Sequence, residues 1–305
     1  MAVDRGHEGD ERDAADAVRR PPRAESDPPA RPEAPAGQEW VAAVHRMHRL
    51  LVDHTYGVAR DAWAATAPHL RTVWENHKER HPERSRPVPR TTSDGAWETG
   101  ERRRLSPEQN AEATKAHSDM AEEGHRDILP ALRRVEATDP NRRLAGLDHM
   151  IKGEDRLKEK IADELTAKPG RTVQQVLNAV ADPVRFTLTY QPRHYADGVL
   201  TDVELLKAEG FELVKLKNLW TAEQYKGVNS QWRRPETGLR FEVQFHTPES
   251  LEAKELTHEA YERIRGSADP GERKELEGFQ RLANALLVTP ERTTEIKDFP
   301  EKNNG

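Results

Sequence analysis

The chain has 305 residues, of which 33% are charged and 34% hydrophobic, with 21 prolines and a formal net charge of -6. With a mean hydropathy of -0.95 and a pI near 6.1, it is too polar for one uniformly packed body and lacks the general basic footprint of a nucleic-acid binder. It has no cysteine, which excludes disulfides, thiolate zinc sites and cysteine nucleophiles and fits a reducing cytoplasm.

Residues 1–38 are rich in Pro, Ala, Arg and acids, and read as a disordered tail with no apolar signal segment. Over 39–80, Trp40, Val41, Val44, Met47, Leu50, Leu51 and Val58 recur at helical spacing and predict a helical region of one or two helices. Residues 81–105 lack periodicity and read as a linker. A domain over 106–290 opens at Ser106-Pro107-Glu108-Gln109, which offers an N-cap, a first-turn proline and a capping-box partner. The helix is expected to run to Glu123, stop near Gly124 and resume over 128–137. Further helices are expected at 154–167 and 172–180.

Strand signals follow. Val184, Phe186, Leu188 and Tyr190 alternate with Arg185, Thr187 and Thr189. A helix over 196–209 closes at Gly210, and 211–220 reads as a strand. Residues 228–233 and 239–246 form a hairpin turned at Glu236-Thr237-Gly238. Helices over 250–265 and 270–287 end the domain, and 291–305 is a C-terminal tail. The expected fold is α+β, a mixed β-sheet flanked by helices. No apolar run approaches the length of a membrane span, so no membrane partner is expected. A cytoplasmic location is expected, with export by a non-classical or toxin-delivery route as the alternative.

Alternate strand residues face opposite sides of a sheet. Phe241, Val243 and Phe245 therefore oppose Glu242, Gln244 and His246, and Leu216 opposes Lys215 and Lys217. With its apolar face under helices, the sheet would present Arg185, Lys215, Lys217, Asn229, Glu242, Gln244 and His246 on the other. Cations beside acids suit phosphoryl transfer. The cations hold phosphates, one carboxylate holds magnesium and another takes the proton of an attacking hydroxyl. The sequence has no Walker A or kinase glycine loop, so side chains would have to grip the phosphates.

The order of motifs resembles the RelA/SpoT synthetase family of nucleotide 3′-pyrophosphokinases. Ile151-Lys152-Gly153 through Lys160 resembles its R-x-K-x-x-x-S-x-x-x-K segment, and Asp182-Pro183-Val184-Arg185 its D-x-x-G-x-R strand. Lys215-Leu216-Lys217-Asn218 occupies the place of a basic K-D-Y element. Tyr225-Lys226-Gly227-Val228-Asn229 resembles Y-x-S/G-x-H, and Glu242 to Thr247 resembles E-x-Q-x-R-T. The likeness spans about 140–265. It implies that Asp182 and Glu242 bind Mg2+, with Glu242 also activating the acceptor 3′-hydroxyl. Lys152, Arg156, Lys160, Arg185, Lys215, Lys217 and His246 would contact the ATP phosphates. Tyr225, Asn229 and Gln244 would form the acceptor pocket, with Tyr225 stacking on the base. Met150 stands in place of the family's first arginine, Arg156 of its serine, Asn229 of a histidine and His246 of an arginine. These departures mark a divergent branch, such as small stand-alone, secreted or toxin synthetases.

The resemblance implies Mg-dependent transfer of pyrophosphate from ATP to the ribose 3′-hydroxyl of a purine nucleotide, either GDP/GTP or an adenine nucleotide. Two alternatives stay open. One is the same transfer to an RNA 3′ end as a toxin, with Arg233, Arg234 and Arg240 as a candidate basic path. The other is a non-catalytic nucleotide-binding relative. A homo-oligomer is also left open.

Overall fold

A computed structural model of the chain describes residues 36–82, 87–100, 103–180, 182–266 and 269–300, and side chains from residue 42 on. The tail expected over 1–38 lies outside the described residues apart from its last three. The chain divides into two units, residues 1–47 and residues 48–305. The first helix, α1 (Ala36–Arg80), continues without a break through the region expected to be helical. The apolar stripe read from its first half does not become core, since Leu50, Leu51 and Val58 are exposed. Instead Trp63, Ala67, Leu70 and Trp74, spaced for one helix face, pack on α7 (Pro248–Arg265) and α8 (Pro270–Ala285). The Trp63 and Trp74 indoles donate to Glu252 and Glu259 of α7 at 2.8 and 2.9 Å.

The stretch expected to be a linker carries three short antiparallel strands: β1 (Arg90–Thr91), β2 (Trp97–Thr99) and β3 (Arg103–Leu105). They are too short for periodicity to show. What holds them is tertiary contact. Trp97 and Leu105 pack with Ala113, Leu157, Ile161 and Val176 in a second core, and the Trp97 indole donates to Asp155 at 2.9 Å.

Ser106 caps α2 (Pro107–Glu123) through the expected capping box. Gly124 does not stop the helix. One π-helical turn, Gly124–Ile128, carries it into α3 (Leu129–Ala137). A Cβ at Gly124 would lie 3.2 Å from Val184 and 3.3 Å from Ile151, so glycine here allows the helix to lie close on the sheet. After β4 (Arg142–Ala145), which carries no strand signal in the sequence, come α4 (Glu154–Ala167) and α5 (Val173–Leu177).

The main sheet has five strands in the order β4-β5-β8-β7-β6, with β5 (Val184–Tyr190), β6 (Glu212–Asn218), β7 (Val228–Arg233) and β8 (Arg240–His246). Among the described strands of this sheet, only the β5–β8 pair is parallel. The connection from β5 runs through α6 (Tyr195–Ala208). Val184, Phe186, Leu188, Leu216, Trp232, Phe241, Val243 and Phe245 pack with residues of α3 and α6 in the main core. The expected mixed sheet flanked by helices is therefore what forms. The C-terminal segment is tied to the sheet as far as it is described. Phe299 exchanges backbone hydrogen bonds with Leu216, and Asp298 accepts from the Asn218 amide at 2.9 Å.

Candidate active site

Strand register builds the polar face row by row. Arg185 on β5 lies opposite Glu242 on β8, and Glu242 opposite Gln231 on β7. In the next row Thr187, Gln244 and Asn229 stand side by side. The segment before α4 extends this frame. Ile151 bridges to Val184, Lys152 N donates to Pro183 O (3.0 Å), and Arg185 N donates to Met150 O (2.7 Å). His117 on α2 meets the Lys152 carbonyl at 2.9 Å. Lys152 is thereby fixed beside the entry to β5, and α4 brings Lys160 to the same point.

The result is a dense charge cluster. Lys152 Nζ donates to Asp182 Oδ2 at 2.7 Å, and Lys160 Nζ to Oδ1 at 3.2 Å. Arg185 spans both acids, reaching Asp182 Oδ2 at 3.1 Å through Nη2 and Glu242 Oε2 at 2.8 Å through Nε. Gln244 Nε2 donates to Glu242 Oε1 at 3.0 Å. Glu242 is only 9% exposed. Gln244 Oε1 is buried and has no hydrogen-bond partner among the described residues. An orphaned acceptor on the wall of a cleft suits a donor group on a ligand.

Tyr225, Asn229 and His246 form a second network. The Tyr225 hydroxyl donates to Asn229 Oδ1 at 2.6 Å and lies 2.9 Å from His246 Nε2. His246 Nδ1 meets Ser250 Oγ at 2.9 Å. His246 is fully buried, and burial, aided by the charge of Lys254, pushes its pKa down to about 3. Its ring is neutral at physiological pH and both nitrogens are engaged, so the expected phosphate contact is corrected: His246 positions Tyr225. Gly227 makes this possible, because a Cβ there would lie 2.8 Å from the His246 ring and 2.9 Å from the Phe245 carbonyl.

A cleft of about 2370 Å³ runs over this face and holds Lys152, Arg156, Lys160, Asp182, Arg185, Tyr225, Asn229, Glu242 and Gln244 on its walls. Common ligand pockets are about 300–1,000 Å³, and this groove, which also reaches His81 and Glu272, exceeds that range. Lys215 and Lys217 share the polar face by register, opposite Gln231 and Asn229, but stand on edge strand β6 outside the cleft lining. Arg156 lines the cleft while paired with Glu159 and Glu262 at 3.0 and 2.9 Å. Met150 is core, packed beside Gly124. No sequence motif marks the contribution of α7, whose Lys254, His258, Tyr261 and Glu262 also line the cleft. Their helical spacing was the available signal. Burial, with the nearby Arg185 charge, lowers the Lys254 pKa.

Two carboxylates joined through one guanidinium are hard oxygen donors of the kind magnesium takes, and Asp182 and Glu242 fit such an ion if cations now on them are exchanged for it. Burial pushes the Asp182 pKa up, but Lys152, Lys160 and Arg185 outweigh it and hold the carboxyl at about 2. Asp182 therefore stabilises the fold above the unfolded carboxyl pKa, and that contribution is lost as pH falls from about 4 to about 2. The shift corresponds to roughly 2 kcal/mol. Asp182→Asn is expected to flatten this part of the pH–stability curve, as read from urea midpoints across that window. An unchanged slope would count against the cation cluster.

No family model and no curated protein matches the chain. Among solved structures it is similar to a GTP pyrophosphokinase family protein from Streptococcus pneumoniae, with 17% identity, TM-score 0.40, and coverage of 62% of this chain and 91% of that one. It is also similar to small alarmone synthetase 1 from Bacillus subtilis, at 15% identity and TM-score 0.40, covering 62% of this chain and 96% of that one. The same synthetase bound to its product pppGpp gives 14% identity, TM-score 0.40 and the same coverage. At this level the likeness carries no residue roles; those come from the side chains themselves.

Proposed function

We propose that the chain is an ATP-dependent pyrophosphokinase that moves the β,γ-pyrophosphoryl group of ATP to the ribose 3′-hydroxyl of a purine nucleotide. The observation that carries this reading is Arg185 spanning Asp182 and Glu242, with Lys152 and Lys160 on the same acid. Three cations and two carboxylates meet at one point on the wall of the cleft.

In the reaction the acceptor 3′-oxygen forms a bond to the β-phosphorus of ATP. The bond from that phosphorus to the α,β-bridging oxygen breaks, and AMP leaves. Glu242, within the cleft and next to Gln244, takes the proton of the 3′-hydroxyl. Lys152, Lys160 and Arg185 turn from the carboxylates to the phosphates and balance the charge that builds up on them. Asp182 and Glu242 would hold Mg2+, and the ion would supply charge neutralisation at the phosphates. Tyr225, steadied by Asn229 and His246, offers its ring to the acceptor base, and Gln244 Oε1 accepts from the acceptor.

Transfer to an RNA end has less support, because two of the three arginines of the candidate basic path are paired with acids. Arg233 pairs with Glu212, and Arg234 with Glu123, Asp127 and Glu236. The test is to incubate the chain with Mg2+, γ-labelled ATP and, in turn, GDP, GTP, AMP, ADP and bulk tRNA. Label on a free nucleotide together with AMP release is expected. Label on tRNA alone would move the reading to RNA, and ATP binding without any transfer would leave only a nucleotide-binding relative.

A further inference from the structure

A second cluster stands at the end of α1. His77 and His81 are four residues apart, which places them on one helix face. His81 N donates to His77 O at 2.9 Å, so the helical turn carries on to His81, and Arg263 Nη1 fixes the His81 carbonyl at 2.7 Å. The two imidazoles stack with centroids 4.6 Å apart. Glu275 of α8 reaches both: its Oε2 lies 3.4 Å from His77 Nδ1 and 3.8 Å from His81 Nε2. One donor atom from each of the three residues lies within 4.8 Å of the others, and no other such group of three or more occurs among the described residues.

These distances are those of His–carboxylate ion pairs and also bring the three groups near the reach of one metal ion. With metal–ligand bonds of about 2.0–2.1 Å, neighbouring ligands of a tetrahedral ion are about 3.3 Å apart. The His77–Glu275 pair is already near that spacing, while His81, stacked on His77, must turn its ring to aim its Nε2 at the same point. His77 is 5% exposed and stacks on Trp74 at 5.4 Å. Its Nε2 is buried with no hydrogen-bond partner among the described residues, yet it faces Glu272 Oε1 at 3.5 Å. A carboxylate behind a ligating imidazole is the usual device for fixing the ring and its tautomer. Glu275 and His81 are part exposed, and His81 and Glu272 also line the rim of the cleft, which gives an ion access and leaves a fourth position for water. The competing cations are placed to yield. Arg80 touches Glu275 at 3.5 Å from an exposed position, while Arg263 lies over Trp74 and engages Glu272 instead.

We propose that His77, His81 and Glu275 form a binding site for a zinc-class transition metal, oriented by Glu272, which ties the end of α1 to α8. Two imidazoles and one carboxylate suit zinc or cobalt and not magnesium or calcium. The inference is independent of the nucleotide reading.

The test uses the untagged full chain, stripped with chelator and titrated with Zn2+, Co2+ or Mg2+. Zinc is expected to bind at this site with micromolar or tighter affinity and to raise the Tm by several degrees. Co2+ is expected to give the visible absorption of a tetrahedral site, and Mg2+ neither effect. His81→Ala and Glu275→Gln, both at part-exposed positions, should lose the cobalt band and the zinc shift. Glu272→Gln should weaken zinc binding by about 10–100-fold. No zinc binding by the stripped chain, or the same shift and band in His81→Ala and Glu275→Gln, would overturn the proposal.

Discussion

Replacing Glu242 by Gln is expected to lower Mg-dependent AMP release from ATP by about 10²–10⁴-fold, the range of a lost general base. The substitution keeps shape and leaves an amide oxygen for the Gln244 donor, so folding should survive. What it removes is the negative charge between Arg185 and the acceptor. Arg185 then keeps Asp182 as its anionic partner among the described residues, and is freer to engage phosphate. The loss should therefore appear chiefly in kcat. Steady-state kinetics with a thermal melt on the same preparation separates this from misfolding. Full activity in a folded variant would remove Glu242 from the mechanism.

Much of this centre is legible in the amino-acid sequence alone. Period-two alternation in β8 puts Glu242 and Gln244 opposite Phe241, Val243 and Phe245, and alternation in β5 puts Arg185 opposite Val184 and Phe186. Both hold, because the apolar residues of each strand enter one core. His246 shows where alternation stops being informative. It stands on the polar side of its strand, yet Tyr225 from a loop and Ser250 from α7 close over it. A strand pattern gives the side a residue takes and says nothing of what covers that side. The same limit applies to α7, whose cleft-facing stripe depends on how the helix docks. Gly124 misleads for another reason. Glycine is a common helix terminator, but here close packing on Val184 sets its identity. The strands at 90–105 are held by Trp97 and Leu105 entering a core made by distant residues, which no local window contains.

The largest effect on stability is expected from a group far from the chemistry. Arg142 on β4, Tyr190 on β5 and Asp202 on α6 form a buried network between the sheet and its covering helices. Arg142 is 1% exposed and Asp202 0%. Arg142 pairs with Asp202 and donates to the Tyr190 hydroxyl at 2.8 Å and to Thr138 at 2.6 Å, while Tyr190 donates to Asp202. Asp202→Ala would leave a buried guanidinium without its counter-ion. Removing one partner of such a pair costs about 3–5 kcal/mol, far above the roughly 0–1 kcal/mol of an exposed pair such as Arg60–Asp61. A fall in the urea midpoint of that size is expected, with transfer activity per folded molecule retained. The double substitution Arg142→Met with Asp202→Leu separates charge from packing. If the cost lies in the stranded cation, the double variant should recover most of the loss, because replacing both ions removes the desolvation penalty as well as the attraction. If it is as unstable as Asp202→Ala, then the hydrogen bonds that Arg142 makes to Thr138 and Tyr190, and not its charge, hold β4 to the sheet.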